Sequence, residues 1–329
     1  EAFVDDTTLW LLKLGLLLSA AVTLMQQTAQ RWERLLHTTG GALNLNKCFW
    51  YGIAWYFTPA GEPKMTTGHD DGYSIHLQSS NGDGTSEPIQ RFSNHSGQRT
   101  LGVRLAPDGN DIDEFKYRLQ QAKKMSHRVK SAPLGREYIG VGFRAIWKMT
   151  LQYPIGATCF TRKQCQKLQA TYLPAFLSKM GINRTTSTAV RHGPSHLGGM
   201  EVFDFETEQG IQHTKLIIAH LRKNDEVSKL LSISLDHLQL QAGVPWPVLS
   251  QPGYSQRLYV DPCYLSHTWE FLDDIGNHLR LEQDKWIHPQ RTGDRFLMED
   301  FASLPDIGPI QLVHAQRCRL FLGVTTLAD

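Results

Sequence analysis

Near residue 107 the hydrophobic pattern changes its period, and this change constrains the fold more than any other feature of the chain. Upstream, one helical stretch is set among β-prone runs. Leu18, Val22, Met25, Ala29, Trp32 and Leu36 recur at spacings of 4, 3, 4, 3 and 4, the apolar stripe of a helix packed on one side, which Gly40-Gly41 should end. Residues 47–57 (KCFWYGIAWYF) are aromatic and β-prone and read as one strand, or two with a bend at Gly52. From Thr58 to Gly97, turn-forming residues gather around a short strand candidate at Tyr73 to Leu77, which reads as an exposed insertion or hairpin. A strand at Arg99 to Leu105 then ends in the turn Pro107-Asp108-Gly109. Asp111, Asp113 and Glu114 stand where helix N-termini favour acidic side chains, and a long helix should run on to about Lys130. Further helices are expected at about 135–152, 162–179, 205–223, 225–241, 264–281 and 309–327, broken by Gly and Pro clusters at 192–199 and 243–253. The expectation is an α+β chain, mixed first and helical afterwards.

With 329 residues, 41% of them hydrophobic and 20% charged, the chain can bury a substantial core and is not globally disordered. Its five cysteines (Cys48, Cys159, Cys165, Cys263, Cys318) are scattered and never form a CxxC pair, so neither a disulfide framework nor a zinc site is signalled, and a reducing intracellular compartment is the simplest reading. Leu9 to Met25 is nearly continuous apolar sequence, but Lys13 interrupts it and the acidic start Glu1, Asp5, Asp6 lacks the positive region of a signal peptide. No membrane partner is expected. The start at Glu1 rather than Met suggests a true N-terminus farther upstream.

A net charge of +2 hides an asymmetry: Lys plus Arg against Asp plus Glu is 5 against 9 over residues 1–90, 15 against 5 over 91–170, and 14 against 18 over 171–329. The middle block thus carries +10 between flanks of −4 each. On the helix after residue 111, Phe115, Leu119, Ala122 and Val129 fall on one side, while Lys116, Gln120, Lys123, His127 and Lys130 fall on another. Such a stripe, with Arg118, Lys124 and Arg128 nearby, is either a solvated face or a surface that meets phosphates without reading bases.

Asp5 and Asp6 follow Phe3-Val4. Neighbouring side chains on a strand point to opposite faces, so two adjacent aspartates serve one site only at a tight reversal of the chain. A hairpin with the pair at its tip would present hard oxygen ligands to Mg²⁺. Alone, such a pair is most often a solvated turn. Here it is followed in order by the amphipathic helix, by Gly40-Gly41-Ala42-Leu43-Asn44-Leu45-Asn46-Lys47, by a strand, and by Arg99-Thr100-Leu101-Gly102-Val103. The series resembles the palm of reverse transcriptases of the non-LTR retrotransposon type, in which a [Tyr/Phe]-x-Asp-Asp hairpin precedes a helix, a Gly-x-x-Leu-Asn-x-x-Lys segment and a Leu-Gly strand turn that grips the primer. Gly40, Leu43, Asn44 and Lys47 match the second element, and Leu101-Gly102 the third.

The resemblance implies a partial palm over residues 1–106, a thumb-like helical domain over 107–183, and a C-terminal helical region of unassigned role over 184–329. It implies Asp5 as main metal ligand with Asp6 supporting it, and Lys47 opposing charge on departing pyrophosphate. Leu101 and Gly102 would lie against the primer, and Lys116, Lys123, Lys124, Arg128 and Lys130 along a duplex of RNA template and DNA primer. In the complete enzyme, deoxynucleoside triphosphates and Mg²⁺ complete the set. His192-Gly193-Pro194 and Gly198-Gly199 resemble the Gly-Pro…Gly-Gly segment of the family more loosely, because Met200-Glu201 follows, and read as loop geometry. His69-Asp70-Asp71 reads as a solvated loop, and no Ser-His-Asp order, P-loop, Rossmann fingerprint, RNase H or endonuclease carboxylate set can be placed. Family members carry a further metal-binding Asp and the fingers upstream of the hairpin, so this polypeptide alone is expected not to extend a primer. The alternatives are a non-catalytic nucleic-acid-binding remnant and a helical interaction module.

Overall fold

The structure is a computed structural model that describes residues 2–3, 6–9, 11, 17–59, 63–66, 72–78, 85–281 and 291–329. The chain divides into two units, Glu1–Glu114 and Phe115–Asp329. Among the described residues helix makes up 55% and strand 8%, so the class is α+β with helices forming most of the core.

The first unit opens with β1 (Ala2–Phe3) and β2 (Asp6–Thr7), antiparallel, with Phe3 opposite Asp6. Helix α1 (Leu18–Thr38) follows and stops just before Gly40, whose φ of +79° a helix cannot continue. Its inner positions are those of the apolar stripe: Val22 and Ala29 are buried with Trp50, Ile75 and Leu77, and Leu18, Met25, Leu43 and Leu45 pack against them. A 3₁₀ turn (Leu45–Lys47) leads into β3 (Phe49–Trp50), then come β4 (Trp55–Phe57) and β5 (Pro63–Met65). Lys47 therefore ends a turn instead of starting a strand. The aromatic run is two strands, and buried Asn94 holds the break between them by donating to the carbonyls of Gly52 (3.0 Å) and Thr66 (2.8 Å).

The turn-rich stretch forms β6 (His76–Gln78), β7 (Ser86–Pro88) and β8 (Gln90–Arg91). Strand β8 lies parallel to β3, while β4 pairs with β5 and β6 with β7 as antiparallel hairpins. The free edge of β6 meets helix α1. Gln26 bonds both backbone groups of His76, accepting from its N–H at 2.7 Å and donating to its C=O at 2.6 Å, and buried Glu33 accepts from Gln78 N at 2.9 Å. Two side chains two turns apart on a helix thus do the work of a neighbouring strand, because a buried peptide group must find a partner.

The stretch expected as one strand at Arg99–Leu105 is a hairpin, β9 (Gln98–Thr100) and β10 (Val103–Leu105), with Leu101-Gly102 as its two-residue loop. Helix α2 (Ile112–Ser131), within which the two units divide, begins with the acidic pair. Asp113 accepts from Gly97 N at 2.8 Å and the fully buried Glu114 from Arg104 N at 2.8 Å, so the two carboxylates clamp the base of the hairpin.

In the second unit, α3 (Arg136–Gly142), a π-helical segment (Phe143–Lys148) and α4 (Met149–Ile155) form one run. Ile139, Phe143, Trp147, Leu151 and Ile155 are all buried and spaced by four. A regular α-helix would rotate such a row by about 160° over its length. The wider π turn takes up part of that rotation and keeps large side chains on one core. They pack with α5 (Arg162–Met180), which a Thr161–Gln164 capping box starts, and with Phe203 and Phe205 beyond α6 (Thr188–His192). In the loop after α6, Gly198 takes φ +80° and Gly199 lies so close to Gly193 that a side chain there would meet the Gly193 carbonyl at 2.0 Å, which fixes both as loop geometry.

Helices α7 (Phe205–Lys223), α8 (Glu226–Ala242), α9 (Tyr264–Asp274), α10 (Leu297–Ser303) and α11 (Pro309–Leu322) surround a second core with Ile217, Leu238, Val244, Trp269, Met298 and Leu312 buried in it. Two helices end sooner than their apolar patterns suggest. Helix α9 stops at Asp274, ahead of Gly276 at φ +64°, and α11 at Leu322, where Gly323 takes φ +69°. Among the described residues no helix is long and apolar enough to cross a membrane.

Candidate nucleic-acid interface

The basic stripe is a property of α2 in three dimensions. Lys116, Lys123, Lys124, His127, Arg128 and Lys130 are exposed, whereas Ala122, Ser126 and Val129 are buried and Phe115, Leu119 and Met125 pack against the core. Residues seven apart on a helix rise about 10 Å and return to nearly the same azimuth, so Lys116, Lys123 and Lys130 make a row of about 21 Å. That length spans several phosphates of a duplex strand. No acidic residue occurs between Glu114 and Glu137, so from Lys116 onward every charged side chain of the helix is a cation.

Arg118 is not part of this surface. It lies two residues beyond Lys116, about 200° around the helix, is 5% exposed, and donates from Nη1 to the Thr150 carbonyl at 3.1 Å. The cause is local. Thr150 would normally receive the N–H of residue 154, but that residue is proline, and Pro154 inside α4 has none to give. The guanidinium supplies the missing donor.

Leu101 and Gly102 form the tip of the β9–β10 hairpin, both with positive φ, +48° and +88°, as a type I′ turn requires. Glycine adopts this at no steric cost, but leucine does not, and Leu101 is exposed there. An apolar side chain held out at a turn position that disfavours it fits a contact role better than a folding role. Replacing Leu101 by Asn, which tolerates positive φ, should therefore raise stability by about 1 kcal/mol. Denaturant unfolding of the two proteins checks this, and no gain would mean that the turn carries no strain.

Lys47 is exposed at the end of its 3₁₀ turn. Asp6 heads β2 opposite Phe3, while Asp5 and the His69-Asp70-Asp71 triplet lie outside the described residues. Among the described residues no three His, Cys, Asp or Glu side chains are grouped to hold a metal. Lys47, Asp6 and the Leu101-Gly102 tip belong to the first unit, and the lysine row of α2 to the second.

Two features escaped the sequence reading. The run from α3 to α4 turns Tyr138, Val141, Met149 and Tyr153 to solvent together with Arg144, a largely apolar exposed face on the side opposite the packed row. The recurrence of apolar residues at 138, 141, 145, 149 and 153 could have shown it, had the two stripes of that segment been separated. The second feature is a contact between Cys159 and His267, 108 residues apart, which no sequence pattern marks. No family model, curated protein or solved structure matches the chain.

Proposed function

We propose that this chain is part of an RNA-directed DNA polymerase of the non-LTR retrotransposon type, and that its own contribution is to hold the RNA–DNA template–primer duplex. The observation that carries the reading is the exposed lysine row on α2, whose opposite face is fully committed to the core. The row would follow phosphates, and the Leu101-Gly102 tip would lie against the primer. Residues 1–106 then correspond to part of a palm and 107–183 to a thumb.

In the complete enzyme the carboxylates of Asp5 and Asp6 are hard oxygen donors of the kind Mg²⁺ takes, and the ions would supply charge stabilisation to nucleotidyl transfer from a deoxynucleoside triphosphate. Lys47 would set a cation against the charge of the leaving pyrophosphate. The test is the salt dependence of binding of a short RNA–DNA duplex to the 329-residue chain. Four or five phosphate contacts would lower the affinity on the order of 10²-fold between 50 and 200 mM salt. Binding that is absent at low salt, or indifferent to salt, would remove the proposal.

A second reading, an interaction module in the C-terminal helices, is favoured by one set of side chains. Leu230 and Ile233 on α8 and Ile310, Phe321 and Leu322 on α11 are each more than 60% exposed. The two readings concern different surfaces and can both hold.

A further inference from the structure

The Sγ of Cys159 lies 2.8 Å from Nδ1 of His267. Cys159 sits in the short connection between α4 and α5, and His267 in the first half of α9. Their meeting is built in from below. His213, buried on α7, directs Nε2 at the carbonyls of Ile155 (3.1 Å) and Thr158 (2.9 Å), which requires a proton on that nitrogen and pins the connection on the N-terminal side of Cys159. The same imidazole stacks on Tyr264, with centroids 4.0 Å apart, and Tyr264 stands three residues before His267 on α9. One histidine thus fixes the loop that carries the thiol to the helix that carries its partner.

The surroundings suit proton transfer. Burial lowers the pKa of His267, which the charge of Glu270 one turn on and a hydrogen bond to the Cys263 backbone oppose. Burial, and then the charge that Cys159 would carry, raise the pKa of the Tyr264 hydroxyl, and among the described residues that buried hydroxyl has no hydrogen-bond partner. The other thiols differ. Cys165 is buried and its thiol is pushed far up by desolvation, Cys48 is raised by burial and then by Glu33, and Cys263 and Cys318 are exposed.

We propose that Cys159 is a reactive thiol with His267 as its base, and that it is a modification site for low-molecular-weight disulfides of the glutathione class. His267 Nδ1 takes the proton from Sγ. The thiolate attacks one sulfur of the disulfide, its S–S bond breaks as the protein mixed disulfide forms, and the released thiolate recovers the proton from the imidazolium and leaves as a thiol. The cysteine is oxidised and half of the small disulfide is reduced.

The intact chain is treated with limiting iodoacetamide, and separately with oxidised glutathione, and each cysteine is followed by peptide mass spectrometry. Cys159 should alkylate about tenfold faster than Cys318, although Cys318 is exposed and Cys159 half-buried, so accessibility alone gives the opposite order. Oxidised glutathione should add one glutathionyl group, at Cys159. In the H267Q variant the rate at Cys159 should fall to that of Cys318 or below. Alkylation of Cys159 no faster than of Cys318 in the wild-type chain overturns the proposal, whatever the stability of the variant. An unchanged rate in an H267Q protein that unfolds at the wild-type temperature does so too.

Discussion

Changing Lys116, Lys123 and Lys130 together to alanine should weaken binding of a short RNA–DNA duplex by about 10²–10³-fold at 0.1 M salt and lower the slope of log K against log salt by about 3. Each phosphate contact releases close to one counterion, and at 0.1 M salt each release is worth about 1.2 kcal/mol, so three contacts give about 3.7 kcal/mol. Stability should not change, because the three side chains are exposed and alanine is the best helix former. The control is the same replacement at Lys163, Lys167 and Lys215, cations that are equally exposed but lie on α5 and α7. If both triple variants lose the same affinity, the duplex responds to net charge and α2 has no special place. If neither loses any, the lysine row is only a solvated face.

The helices were legible because their evidence is periodic and redundant. Residues 18–36 repeat one stripe, and each of α5, α7 and α8 begins at the polar residue that accepts from its first-turn N–H groups, Thr161, Asp204 and Asp225. What was not legible depended on single residues acting against type. A strand reading of 99–105 is natural when leucine occupies 101, since leucine seldom takes positive φ, and only the backbone there turns the strand into a hairpin. The row spaced by four along α3 and α4 needed a π turn, which no propensity announces. Of the candidate site, the α2 face followed from spacing alone. The Cys159–His267 contact did not, because it is made by the packing of α9 and α7 on a loop far away in sequence.

Arg118 shows how a cation inside a basic stretch can belong to the core, and its replacement should separate folding from binding. In Arg118→Met the side chain keeps most of its apolar length but loses the donor to the part-buried Thr150 carbonyl, which is then left without the N–H that Pro154 cannot provide. The expected loss is about 2–3 kcal/mol in denaturant unfolding, the range for a hydrogen bond from a charged donor whose acceptor is left unsatisfied. It is partly offset by no longer burying a charge. Pro154→Ala restores the backbone donor, so in that background Arg118→Met should cost at least 1 kcal/mol less, a coupling that two independent sites would not show. Equal costs in both backgrounds would mean that the Thr150 carbonyl is not what holds Arg118 in the core. Duplex affinity and its salt slope should be unchanged in Arg118→Met under conditions where it is folded, since the guanidinium points away from the lysine row. A fall in slope of about 1 would instead return Arg118 to the nucleic-acid surface.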